Sequence, residues 1–90
     1  MAKYLIERAV GDVNRAQLDE VVERATRIRE ERFPDIGWLH THVVRTGDGL
    51  TAYCVYEAED PDRICEHAEA IGLPAQAIHE IEADLAPAGG

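Results

Sequence analysis

Two stretches with helical spacing are each flanked by two runs of extended character. That order, strand-helix-strand given twice, restricts this chain more than any other feature in it. Residues Lys3 to Val10 alternate in polarity and favour a strand. Gly11, Asp12 and Asn14 break the run, with Asn14 placed as a helix N-cap and Gln17 three positions on as a variant of the capping box. Leu18, Val21, Val22, Ala25 and Ile28 then recur at the spacing of one helix face, opposite Asp19, Glu20, Glu23, Arg27 and Glu30. Pro34, Asp35 and Gly37 end the helix. Trp38 to Arg45 is rich in β-branched and aromatic residues and reads as a second strand. Thr46-Gly47-Asp48-Gly49 is a turn, and Thr51 to Ala58 is the returning arm of the hairpin.

The second half is punctuated as firmly. Asp60-Pro61 supplies an N-cap and a proline at the first helical position. Ile64, Ala68 and Ile71 form the apolar stripe, and Gly72 with Pro74 closes the helix. Ala77 to Leu85 reads as the last strand. The expected organisation is one domain over residues 1–85 with a frayed tail over 86–90. Two such units predict an α+β, ferredoxin-like β-α-β-β-α-β fold: a four-stranded antiparallel sheet with both helices on one face. The other face then needs a cover. A 90-residue chain has a thin core, so a second copy, giving a homodimer, is the expected cover.

Charge narrows the partners. Eighteen acidic against nine basic side chains give a formal charge of −9, which repels phosphate backbones and anionic lipid; neither nucleic acid nor a membrane is expected as a partner. Divalent cations are not disfavoured. No apolar h-region follows the charged start at Lys3, Glu7 and Arg8, so a cytoplasmic location is expected, with Cys54 and Cys65 as reduced thiols. Glu7 and Arg8 point to opposite faces of their strand, and whichever is buried requires a partner.

Alternation places Trp38, His40, His42 and Val44 on one side of the second strand, and Leu39, Thr41 and Val43 on the other. A tight turn would pair His42 with Cys54 and His40 with Tyr56, gathering His40, His42, Cys54 and Tyr56 into one patch. That pairing depends on a register in which a one-residue slip changes faces. Histidines at i and i+2 of a strand lie about 6.5–7 Å apart and can converge on one ion with a third group. Imidazole suits nickel, zinc and copper. The competing reading is a half-buried strand whose histidines meet water or another chain. His67 flanks the stripe of its helix, either as a ligand or base or as an interfacial ring bonded to a carbonyl. Glu80, Glu82 and Asp84 share a side of the last strand, where carboxylates more often guard an edge than bind a cation. Cys54 lacks an oxyanion hole and an electropositive setting, so a structural thiol is expected. No P-loop, GxGxxG, HExxH or nucleophile elbow is present.

Several segments together resemble a family of small bacterial domains catalogued as uncharacterised, one branch of which is described as nickel-binding protein. They are Tyr4-Leu5-Ile6-Glu7-Arg8, Trp38, Tyr53-Cys54-Val55-Tyr56-Glu57-Ala58, Ile64-Cys65-Glu66-His67-Ala68, Gly72-Leu73-Pro74-Ala75 and Ile78-His79-Glu80-Ile81. The resemblance implies a ferredoxin-like fold, usually paired into a dimeric α/β barrel, and a nickel role. Cys54 and His67 fall within the better-matching segments. The expected function is therefore binding of a divalent transition metal, nickel first, by ligands drawn from His40, His42, His67 and Cys54. Two alternatives stand beside it. One is a cofactor-free isomerase or monooxygenase whose pocket is lined by Trp38, Tyr53 or Tyr56, with His40 or His67 as base. The other is a dimerisation module without chemistry.

Overall fold

The structure, a computed structural model, describes residues 1–88; the last two positions of the expected tail, 89 and 90, lie outside the described residues. Six elements follow in chain order: β1 (Ala2–Gly11), α1 (Arg15–Arg32), β2 (Gly37–Thr46), β3 (Gly49–Ala58), α2 (Pro61–Ile71) and β4 (Ala77–Glu80). The strands form one sheet in the order β2-β3-β1-β4, and every neighbouring pair is antiparallel. This is the ferredoxin-like arrangement.

Local chemistry sets the helix ends. At α1 the Asn14 side chain accepts from the Gln17 backbone N–H at 2.8 Å, and the Gln17 side chain accepts from the Asn14 N–H at 2.9 Å. This reciprocal box satisfies two otherwise orphaned donors. At α2 Asp60 accepts from the Arg63 N–H, and Pro61 opens the helix with its φ already suited to it. Gly72 ends α2 at φ 74°, and its N–H donates to the Glu69 carbonyl at 3.2 Å.

One face of the sheet is buried beneath the helices. Tyr4, Ile6 and Arg8 of β1 lie there, beside Ala52, Cys54, Tyr56 and Ala58 of β3. Ile64, Ala68 and Ile71 of α2 pack onto this row, and Phe33 and Ile36, from the loop after α1, fill the end of the core. A fully enclosed isoleucine such as Ile6 or Ile64 contributes roughly 2–3 kcal/mol by leaving water. By contrast, Ala25 is the one buried residue of α1. Val22, on the same apolar stripe, is 40% exposed, so α1 rests more loosely than α2.

Two details differ from the sequence expectation. The last strand is four residues long rather than nine. It pairs with β1 only across Tyr4 to Glu7, after which Ile81 donates one further bond to the Lys3 carbonyl. Residues 82–88 form no regular element, though Asp84 meets Lys3 at 2.9 Å. The second difference lies in β2. Trp38 pairs with Tyr56, but His40 pairs with Val55, so Leu39 is an extra residue in the strand. A bulge of this kind reverses the inward and outward sense of everything that follows it.

Candidate functional site

The bulge at Leu39 decides where the histidines point. Thr41 pairs with Cys54 and Val43 with Ala52, so both share the helix-covered face with Trp38. The indole Nε1 of Trp38 donates to Thr41 Oγ1 at 2.8 Å. His40 and His42 sit opposite Val55 and Tyr53 instead, on the face that no helix covers. The expected grouping of His40 and His42 with Cys54 and Tyr56 is therefore corrected. The two histidines do stay together. Their ring centroids are 5.3 Å apart, edge to face, and both residues are exposed.

Across the open face, ladder partners run His40, Val55, Leu5, His79 in one row and His42, Tyr53, Glu7, Ala77 in the next. Three of the four histidines thus lie on this face. His79 stands at its far side, about 14 Å from the β2 row at ordinary strand spacing. Among the described residues, no three His, Cys, Asp or Glu side chains gather closely enough within one protomer to hold an ion.

His67 and Cys54 are on the other side of the sheet. His67 is fully buried, with its Nε2 3.5 Å from the Ala25 carbonyl and its ring edge-on to Phe33 and Tyr56 at 5.3 and 5.8 Å. Burial, with Arg8 and Arg29 adding repulsion, holds its pKa down at about 4. The ring is neutral at physiological pH, and its Nδ1 has no hydrogen-bond partner among the described residues. Cys54 is buried on β3. Tyr56 sits beside it, and burial is the chief reason its hydroxyl is pushed up to about 12. The sheet itself separates these groups from the His40–His42 pair.

A cavity of about 50 Å³ lies between α1 and the sheet. Trp38, Cys54 and Tyr56 line it, with Arg8 at one wall, and no histidine does. The Trp38 and Tyr56 rings stack at 6.0 Å, whereas Tyr53 faces the opposite side. The arginine wall was not singled out as a site from the sequence. Its only signal there was that either Glu7 or Arg8 had to point inward.

Comparison with known proteins gives two findings. Residues 4–81 match the model of a family described as nickel responsive protein SCO4226-like. The crystal structure of SCO4226 from Streptomyces coelicolor A3(2) superposes with a TM-score of 0.76 at 16% identity, covering 93% of this chain and 100% of that one. A likeness at that identity establishes the shared fold. No curated protein matches the chain.

Proposed function

Because the chain belongs to the SCO4226-like family of nickel responsive proteins, we propose that it binds a divalent transition metal, nickel first, through His40 and His42 on the open face of the sheet. The observation that carries this reading is the pair itself: two exposed imidazoles on one strand face with ring centroids 5.3 Å apart. Imidazole is a good nickel ligand, and the geometries nickel favours need more donors than two. Water or a second copy supplies the remainder.

A second copy fits this requirement. Sheets stacked face to face lie about 10 Å apart, a gap that two histidines and an ion between them can bridge. A twofold axis along the strands lays β4 of one copy over β2 of the other, bringing one copy's His79 towards the other's His40. The proposed ligand set is then His40 and His42 from one copy and His79 from its mate, with the homodimer as the functional unit. Val55 and Leu5, between the histidine columns, supply the apolar centre of that interface. Cys54 and His67, behind the sheet, have no part in it.

Titration calorimetry of untagged protein with Ni²⁺ and Zn²⁺ tests the reading, because a polyhistidine tag would itself collect nickel. Saturable binding is expected in the wild type. It is expected to be lost in His40→Ala/His42→Ala, and to weaken in His79→Ala together with nickel-dependent dimerisation by ultracentrifugation. Affinity rises with pH, since protons and the ion compete for the same nitrogen. Unchanged nickel affinity in the double variant refutes the site.

A further inference from the structure

The sheet order leaves the outer edge of β2 without a partner strand among the described residues. Thr46 and Gly49 pair across a two-residue hairpin loop. Counting back from that pair by alternation, Arg45, Val43 and Thr41 turn their backbone N–H and C=O groups away from β3. A row of open groups of this kind is a template for another strand. Beside it runs a groove of about 460 Å³, between Leu18 and Val22 of α1 and Leu39, Thr41 and Val43 of β2. Val22, Leu39 and Val43 are 40%, 42% and 39% exposed. The one carboxylate lining the groove, Asp19, is held by Arg15 at 2.9 Å. In a chain of charge −9, β2 is also the one element without an acidic residue, and on its open-face side it carries His40 and His42.

The same chain carries a strand pattern that has no strand. From Ile81 to Leu85 the residues alternate, with Ile81, Ala83 and Leu85 on one side and Glu82 and Asp84 on the other, yet β4 ends at Glu80. Leu85 is 92% exposed, and the Asp84–Lys3 ion pair is an exposed one, a weak tether. This segment cannot fill the groove of its own copy. Ile81 is bonded to the Lys3 carbonyl, in the column of β4. A strand added outside β2 lies four strand spacings from that column, about 19 Å. The four residues from Ile81 to Leu85 reach at most about 13–14 Å.

We propose that the free edge of β2 is a docking site for residues 82–86 of a second copy of this chain, added to the sheet as a fifth strand. Ala83 and Leu85 then share the side of Thr41 and Val43, with Leu85 in the groove against Val22. Glu82 and Asp84 fall beside His40 and His42, whose ring N–H groups can donate to them. Both rows match at once: the apolar row meets the apolar groove, and the acidic row meets the one strand free of acid. The reverse order would press carboxylates into the groove against Asp19. This contact runs along the edge of the sheet and does not rest on the metal reading, so it is tested with metal removed.

The receiver is the ¹⁵N-labelled, untagged full chain carrying Leu85→Asp, whose own tail does not compete, and the probe is a synthetic peptide of residues 80–88, titrated by NMR in EDTA. Saturable shifts are expected at the amides of Leu18, Val22, Thr41 and Val43. A peptide with Leu85→Asp binds at least about tenfold more weakly. So does one with Ala83→Pro, which keeps the charges and the leucine but removes a ladder N–H. Val43→Glu in the receiver abolishes the response; should that variant fail to fold, the peptide variants decide, because they leave the receiver unaltered. By sedimentation in EDTA the mass of the wild type rises with concentration, and that of Leu85→Asp does not. Absence of saturation overturns the proposal, as does equal response to the Leu85→Asp peptide. Equal response to a scrambled peptide of the same composition makes the edge an acceptor of acidic peptides in general and overturns docking by a second copy. A wild type that stays monomeric at every concentration overturns it too, as does self-association unchanged by Leu85→Asp.

Discussion

Acidification from neutrality to pH 4 should remove about 3 kcal/mol of stability through His67 alone. The ring is fully buried, and its Nδ1 has no acceptor among the described residues, so a proton added there would have nothing among them to bond. Burial lowers its pKa from 6.5 to about 4, and the charges of Arg8 and Arg29 push the same way; the Ala25 carbonyl alone favours the protonated form. As pH falls through 6.5 the unfolded chain takes up the proton while the folded chain refuses it. The contribution of the neutral ring is therefore complete above 6.5. It declines by up to about 1.4 kcal/mol per pH unit and levels off below about 4. Asp35, whose carboxyl the Arg63 hydrogen bonds hold below its ordinary range, loses its contribution at more acid pH, outside this window. Urea unfolding at half-unit steps from pH 7.5 to pH 4, on wild type and His67→Gln, isolates the effect as the difference between the two profiles. Wild type should lose about 3 kcal/mol more than the variant across the window. Parallel profiles would mean that the ring titrates alike in both states, and the reasoning from burial would fail.

Two further outcomes test the backbone. Gly49→Ala should destabilise by about 2 kcal/mol or more in urea unfolding, because φ is +116° and an added Cβ would stand 2.7 Å from the Gly11 carbonyl carbon; Gly47→Ala, with nothing within 4 Å, should be near neutral. Asp60→Ala should cost about 1 kcal/mol by removing the acceptor for the Arg63 N–H, and Asp60→Asn should restore most of it.

What could be read from the sequence was what is encoded within a few residues. The Asn14–Gln17 box, the Asp60-Pro61 start and the Gly72 stop each involve side chains acting on backbone within one helical turn, so their meaning does not depend on the rest of the fold. Topology followed from the order of the elements. The site was harder, because which face a strand residue occupies depends on pairing with residues distant in the chain. No glycine or proline marks the bulge at Leu39, and simple alternation therefore put His40 and His42 beside Cys54 when they lie behind it. Arg8 shows the same limit. Its strand parity with Ile6 was plain, but whether a carboxylate would meet it could be settled only by knowing what the α1 side places nearby.

The extra residue at Leu39 also bears on how related chains should be matched. A relative one residue shorter ahead of its histidines would carry the same His-x-His letters while turning those rings towards the helices, and would offer the threonine between them to the outside. Spelling alone is thus a poor guide to kinship of function in this family. Strand length counted from the tryptophan is the better discriminator, because it fixes which side of the molecule the imidazoles serve.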